Sequence, residues 1–123
     1  MPKTLYHHPN CDTCRKARAW LQGNGVDIAL VDLRAGPPDV ATLRQAWGAS
    51  GLPLRRLFNI SGGAYREGDW ASRWATGVAD DEALAALAAD GMLLKRPLLV
   101  GDGVALVGFD AVAWAAALAA PKD

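Results

Sequence analysis

The apolar positions of this chain switch between two periods, and the switches mark its elements. Thr4-Leu5-Tyr6 is a short apolar run that predicts a strand. From Arg15 to Gln22 the residues Ala17, Trp20 and Leu21 fall three and four apart, the spacing that gathers side chains on one face of a helix. Asn10 or Asp12 is expected to cap that helix and Gly23-Asn24-Gly25 to stop it. Val26 to Leu33 predicts a second strand, largely buried through Ile28, Leu30 and Val31. Gly36-Pro37-Pro38-Asp39 reads as a loop whose aspartate caps a helix from Val40 to Ala49, with Leu43, Ala46 and Trp47 inward.

The middle of the chain is less periodic. Pro53 to Phe58 predicts a short helical turn, Ser61-Gly62-Gly63 a break, and Trp70 to Trp74 another short helix. Asp80-Asp81-Glu82 is an acidic first turn, favourable at the positive end of a helix, for a segment running to Ala89. Leu98 to Val100 and Val104 to Val107 predict two strands, joined by the hairpin signal Gly101-Asp102-Gly103. Asp110 is placed to cap a last alanine-rich helix from Ala111 to Ala119, closed by Pro121. This order of elements matches an α/β thioredoxin-like fold, a mixed four-stranded sheet flanked by helices, with a helical insertion.

At 123 residues, 51% of them hydrophobic, the chain can bury one good core, and no repeat or linker divides it. A single domain over residues 1–123 is expected. The formal net charge of zero argues against a nucleic-acid surface built from basic residues. No stretch approaches the roughly 20 apolar residues of a membrane-spanning helix. Met1-Pro2-Lys3 leads into a strand without a signal-peptide core, so a cytoplasmic protein is expected.

The two cysteines stand together as Cys11-Asp12-Thr13-Cys14, between the first strand and the first helix. Thiol–disulfide chemistry is expected there, because the thiolate is the reactive species and a helix N-terminus offers it partial positive charge and free N–H groups. Arg15, Lys16 and Arg18 add cations nearby. A zinc site of His7, His8, Cys11 and Cys14 is disfavoured. Adjacent strand residues point to opposite faces, and no second ligand pair follows, so no metal is expected. His8, just before Pro9, is either a proton donor or a loop anchor. Trp20, Trp47 and Trp114 fit core stripes, while Trp70 and Trp74 either cover the site or simply pack.

Three segments in order carry a family likeness: Asn10-Cys11-Asp12-Thr13-Cys14-Arg15-Lys16-Ala17-Arg18-Ala19-Trp20-Leu21, Lys95-Arg96-Pro97-Leu98-Leu99-Val100, and Val107-Gly108-Phe109-Asp110. From Thr4 to Leu118 the chain resembles the arsenate reductase family of thioredoxin-fold proteins, and within it the Spx/YffB-like branch. The resemblance implies that Cys11 is the nucleophile and Cys14 the resolving thiol, leaving a Cys11–Cys14 disulfide for an external thiol to reduce. It implies a cis-proline at Pro97, facing the reactive cysteine. Arg96 beside it would hold an oxyanion or carboxylate in two bonds and lower the thiol pKa.

Enzymes of the family that couple arsenate to glutathione carry three arginines around the anion, and only Arg96 matches one. Asn59 stands near the position of the first and Gly108 near that of the third. Arg66 either substitutes from the inserted region or pairs with Glu67 or Asp69 at the surface. No bound cofactor is implied. The reductant is glutathione or a thioredoxin or glutaredoxin partner, and the substrate an arsenate-like oxyanion or a glutathione mixed disulfide. A second function class is an Spx-like redox-switched regulator that docks on RNA polymerase. Gly51 ahead of Arg55-Arg56 speaks for it. Such regulators continue past the last helix in a charged arm, whereas this sequence stops at Ala120-Pro121-Lys122-Asp123.

Overall fold

A computed structural model describes residues 2–118. Strand β1 (Lys3–His7) leads into helix α1 (Asp12–Gly23), strand β2 (Ile28–Asp32) and helix α2 (Val40–Ser50). A 3-10 turn (Leu54–Leu57) and helices α3 (Gly63–Glu67), α4 (Trp70–Thr76) and α5 (Asp80–Ala89) form the insertion. A second 3-10 turn (Gly91–Leu93) then delivers the chain to the hairpin β3 (Leu98–Gly101) and β4 (Val104–Val107), and α6 (Ala111–Leu118) follows. The end of α6 expected at Ala119, and its stop at Pro121, lie outside the described residues.

The sheet order is β2-β1-β3-β4, with β1 and β2 parallel and the other two pairings antiparallel. This is the mixed four-stranded sheet expected from the order of elements. Alternation along the strands splits the core between its two faces. Leu5 and Leu99 join Ala17, Leu21 and Trp114 under α1 and α6. Leu98 and Ala105 face the other way, into a larger cluster built by α2, α5 and the insertion around Leu43, Phe58, Trp70 and Leu84.

The Asp39 cap forms as expected, its carboxylate accepting from Thr42 N–H at 2.8 Å. Asp110 does the same for α6, with Oδ1 accepting from the N–H groups of Val112 and Ala113.

Two expectations are corrected. The β2 strand is not largely buried: it is the sheet edge, and Leu30, paired with Leu5, is 52% exposed. Leu5 joins the core cluster with Ala17 and Leu21 of α1, and Leu30 beside it does not. The cap of α1 is neither Asn10 nor Asp12. It is Cys11, with extended backbone and Sγ accepting from Cys14 N–H at 3.4 Å.

Trp70 and Trp74 pack on Phe58, with ring centroids 4.8 and 5.4 Å away, so the packing reading holds for both.

Candidate active site

A cavity of about 510 Å³ opens at the N-terminus of α1. Three parts of the chain build it: Cys11 and Thr13 from α1, Asn59 with Lys95 and Arg96, and the turn Val107–Asp110 between β4 and α6. The second part is held by a short antiparallel bridge. Asn59 N–H donates to Leu93 C=O at 2.7 Å, and Lys95 N–H to Leu57 C=O at 2.8 Å. This clamp lays the end of the first 3-10 turn against the segment that approaches β3. Residues far apart in sequence thereby present Asn59, Lys95 and Arg96 together. The Arg96–Pro97 peptide bond is cis, as the resemblance implies. Pro97 is buried and acts through its carbonyl, which accepts from Gly108 N–H at 2.9 Å and ties the third part to the second.

The two thiols are electrostatically unlike. Partial burial pushes the Cys11 thiol up. The Cys14 backbone N–H, the Cys14 thiol and the Arg96 guanidinium outweigh it, and Cys11 lies below its ordinary value. Cys14 is fully buried beneath it, and burial above all pushes its thiol up to about 11, with the negative charge of Cys11 adding to the rise. Both cysteines are in the thiol form, with no disulfide between them. The guanidinium of Arg96 is half-buried, and its Nη1 also contacts Met92 Sδ at 3.7 Å. Cys11 is therefore the more acidic thiol of the pair, and it lines the cavity.

The other expected site residues lie elsewhere. Arg66 does not line the cavity; it is exposed, and Nη1 donates to the Ser61 carbonyl at 3.5 Å. The pairing with Glu67 or Asp69 is absent from the ion pairs of the described residues. Arg15 is likewise outside the lining and pairs with Asp12 at 2.7 Å. The Nδ1 of His8 accepts from Asn10 N–H at 3.0 Å, which is the loop-anchoring role. Asn59 and Gly108 do line the cavity. Lys95 was not singled out by residue type, although it immediately precedes Arg96.

His7 is buried against α1, with Arg18 Nη1 donating to its Nδ1 at 2.9 Å. Among the described residues no group of three or more His, Cys, Asp or Glu gathers where a metal ion could sit.

Burial, and then the Arg18 charge, hold the imidazole of His7 below its ordinary 6.5, against the opposing pull of Asp32. The unfolded chain then binds the proton more readily than the native one as pH falls. Stability should be full above pH 6.5 and decline as the pH drops toward the folded value. The slope is at most about 1.4 kcal/mol per pH unit, the value for one proton. Urea unfolding of wild type and His7→Asn across this range checks it. The difference between the two should be flat above pH 6.5 and move below it.

A Cys-x-x-Cys at a helix start, with a cis-proline just ahead of β3 in a mixed four-stranded sheet, defines a thioredoxin-like fold. The ArsC family model matches residues 6–117, and the chain belongs to that family. It is 40% identical over 109 residues to the uncharacterised protein YusI of Bacillus subtilis, covering 89% of this chain and 92% of YusI. Among solved structures, an ArsC-family related protein of Bacteroides fragilis superposes with a TM-score of 0.87 at 36% identity, covering 93% of this chain and 95% of that one. A Streptococcus mutans protein described as a possible arsenate reductase superposes with a TM-score of 0.80 at 39% identity, covering 87% and 90%.

Proposed function

We propose that this protein is a thiol-dependent reductase whose nucleophile is Cys11 and whose resolving thiol is Cys14. The observation that carries the reading is the contrast within one turn of α1. Cys11 is depressed and faces a cavity shared with Arg96, while Cys14 is buried and raised to about 11.

With a glutathione mixed disulfide, the Cys11 thiolate attacks the glutathione sulfur. A Cys11–glutathione disulfide forms, and the other thiol leaves as its thiolate. Cys14 then loses its proton and attacks the Cys11 sulfur, expelling glutathione and closing the Cys11–Cys14 disulfide.

With an arsenate-like oxyanion, Cys11 displaces one oxygen as water after protonation and forms a sulfur–arsenic bond. Attack on the Cys11 sulfur by Cys14 breaks that bond. Its electron pair passes to arsenic, which leaves as the trivalent oxyanion. In either course two electrons have left the cysteine pair. Two equivalents of glutathione, or the dithiol of a thioredoxin or glutaredoxin, restore them. Arg96 serves the anion in both cases, and the Streptococcus mutans relative's description favours the oxyanion.

The test is an NADPH-coupled assay offering arsenate or a small glutathione mixed disulfide, each with glutathione/glutaredoxin and with thioredoxin. Turnover that vanishes in Cys11→Ser is expected. Absence of turnover in every combination, from protein whose cysteine pair still oxidises, would overturn the enzyme and favour a redox-switched binding partner of RNA polymerase.

A further inference from the structure

The cavity holds a second cation that neither the Cys-x-x-Cys motif nor Arg96 explains. Lys95 lines it beside Arg96 and is exposed. Five other basic side chains, those of Lys3, Arg15, Arg34, Arg44 and Arg73, are paired with carboxylates. No ion pair to Lys95 occurs among the described residues. The one carboxylate in the lining, Asp110, is engaged through Oδ1 by the first amides of α6.

The course of the lysine side chain is set by Gly108. A Cβ at that position would stand 3.0 Å from Lys95 Cε and 4.0 Å from Nζ, and the backbone there has φ +70°, where a side chain is strained. The lysine stem thus lies across the glycine, in the space a side chain would otherwise take. The backbone bridge from Lys95 N–H to Leu57 C=O fixes its root.

We propose that Lys95 is the second cation of an anion subsite at Cys11, and that with Arg96 it selects a doubly charged tetrahedral oxyanion. The proposal rests on the reading of Cys11 as the substrate-facing thiolate. The chemistries of the two cations are complementary. The planar fork of Arg96 grips two oxygens at once, and the ammonium of Lys95 is a compact charge with three donors for a third oxygen. Two cations match the charge of a dianion, which a single arginine does not.

Inorganic phosphate is the probe, being tetrahedral, doubly charged near neutral pH and not reducible by thiols. The readout is the rate at which iodoacetamide alkylates Cys11, followed by mass spectrometry, with chloride holding the ionic strength constant. In wild type, phosphate should slow alkylation saturably. Lys95→Gln should raise the half-protecting phosphate concentration about tenfold, a difference of about 1.4 kcal/mol. Lys95→Arg should keep it within about threefold of wild type. The alkylation rate without phosphate should change much less than the protection does. Equal protection of Lys95→Gln and wild type would overturn the role of Lys95. So would a fall in the phosphate-free rate with protection unchanged, since the lysine would then act on the thiol and not on the ligand. Absence of protection in wild type would overturn the subsite itself. In that case Cys11-dependent turnover of the mixed disulfide would show the thiol reading to survive without it. A Cys11 alkylating no faster than an ordinary thiol would sink the underlying reading.

Discussion

Cys14→Ser should arrest the protein as a stoichiometric mixed disulfide at Cys11, with turnover down about 100-fold or more. The magnitude follows from proximity: a thiol held one helical turn from the sulfur it attacks acts at an effective concentration far above that of millimolar glutathione, and serine cannot replace it. In the resting state Cys14 is kept protonated chiefly by burial, and the Cys11 thiolate adds to the penalty. Once Cys11 has bonded to substrate its negative charge is gone. That part of the penalty vanishes, while the nearby Arg96 charge, which favours the Cys14 thiolate, remains. On the proposed mechanism the electrostatics would order the two steps, with Cys14 becoming a better nucleophile once Cys11 has reacted. Incubating Cys14→Ser with the mixed disulfide and weighing the product by mass spectrometry checks this. No adduct accumulating on Cys11, or turnover equal to wild type, would remove Cys14 from the resolving role.

The elements that the sequence made legible are those whose signals are local. Asp39 and Asp110 cap the helices that follow them, and Gly101-Asp102-Gly103 joins two strands at nearly the expected bounds. Periodicity in α1 correctly placed Ala17 and Leu21 in the core. What failed depends on the neighbours an element acquires. Ile28-Ala29-Leu30-Val31 has the composition of an interior strand, but chain order puts β2 at the edge, and no sequence pattern states that. Cys11 became the helix cap because a sulfur one position ahead of Asp12 reaches the Cys14 amide, a contact ordinary capping preferences do not rank.

The site divides in the same way. Cys11, Cys14 and Arg96 were legible because the motif and the resemblance name them. Arg66 has the right charge, but its short helix holds it on the surface. Lys95 stood in the motif Lys95-Arg96-Pro97 without a role of its own. Its signal was present all the same: an unassigned cation directly before Arg96, and a glycine in Val107-Gly108-Phe109 near the position where the resemblance implies an arginine.

Trp114→Ala should cost about 3–5 kcal/mol of stability, the range for emptying a buried large aromatic site. Trp114 is among the largest buried side chains of the described residues, and it packs edge-on against Phe109 and Trp20 with centroids 5.0 and 6.3 Å away. Its indole N–H donates to the Gly108 carbonyl at 3.0 Å. Removing it therefore leaves a cavity between α6 and the sheet and an unpaired carbonyl in the wall of the Cys11 cavity. Domains of this size hold only about 5–15 kcal/mol in total, so the loss is a large fraction of the whole. Trp114→Phe separates the two contributions. It keeps most of the packing and gives up the hydrogen bond, for an expected loss of about 1–3 kcal/mol. Because Gly108 is the floor on which the Lys95 stem lies, the phenylalanine variant should also weaken phosphate protection of Cys11 while remaining folded. Urea unfolding measures the first effect and the alkylation assay the second. A Trp114→Ala loss below about 1 kcal/mol would mean that α6 does not hold this wall in place.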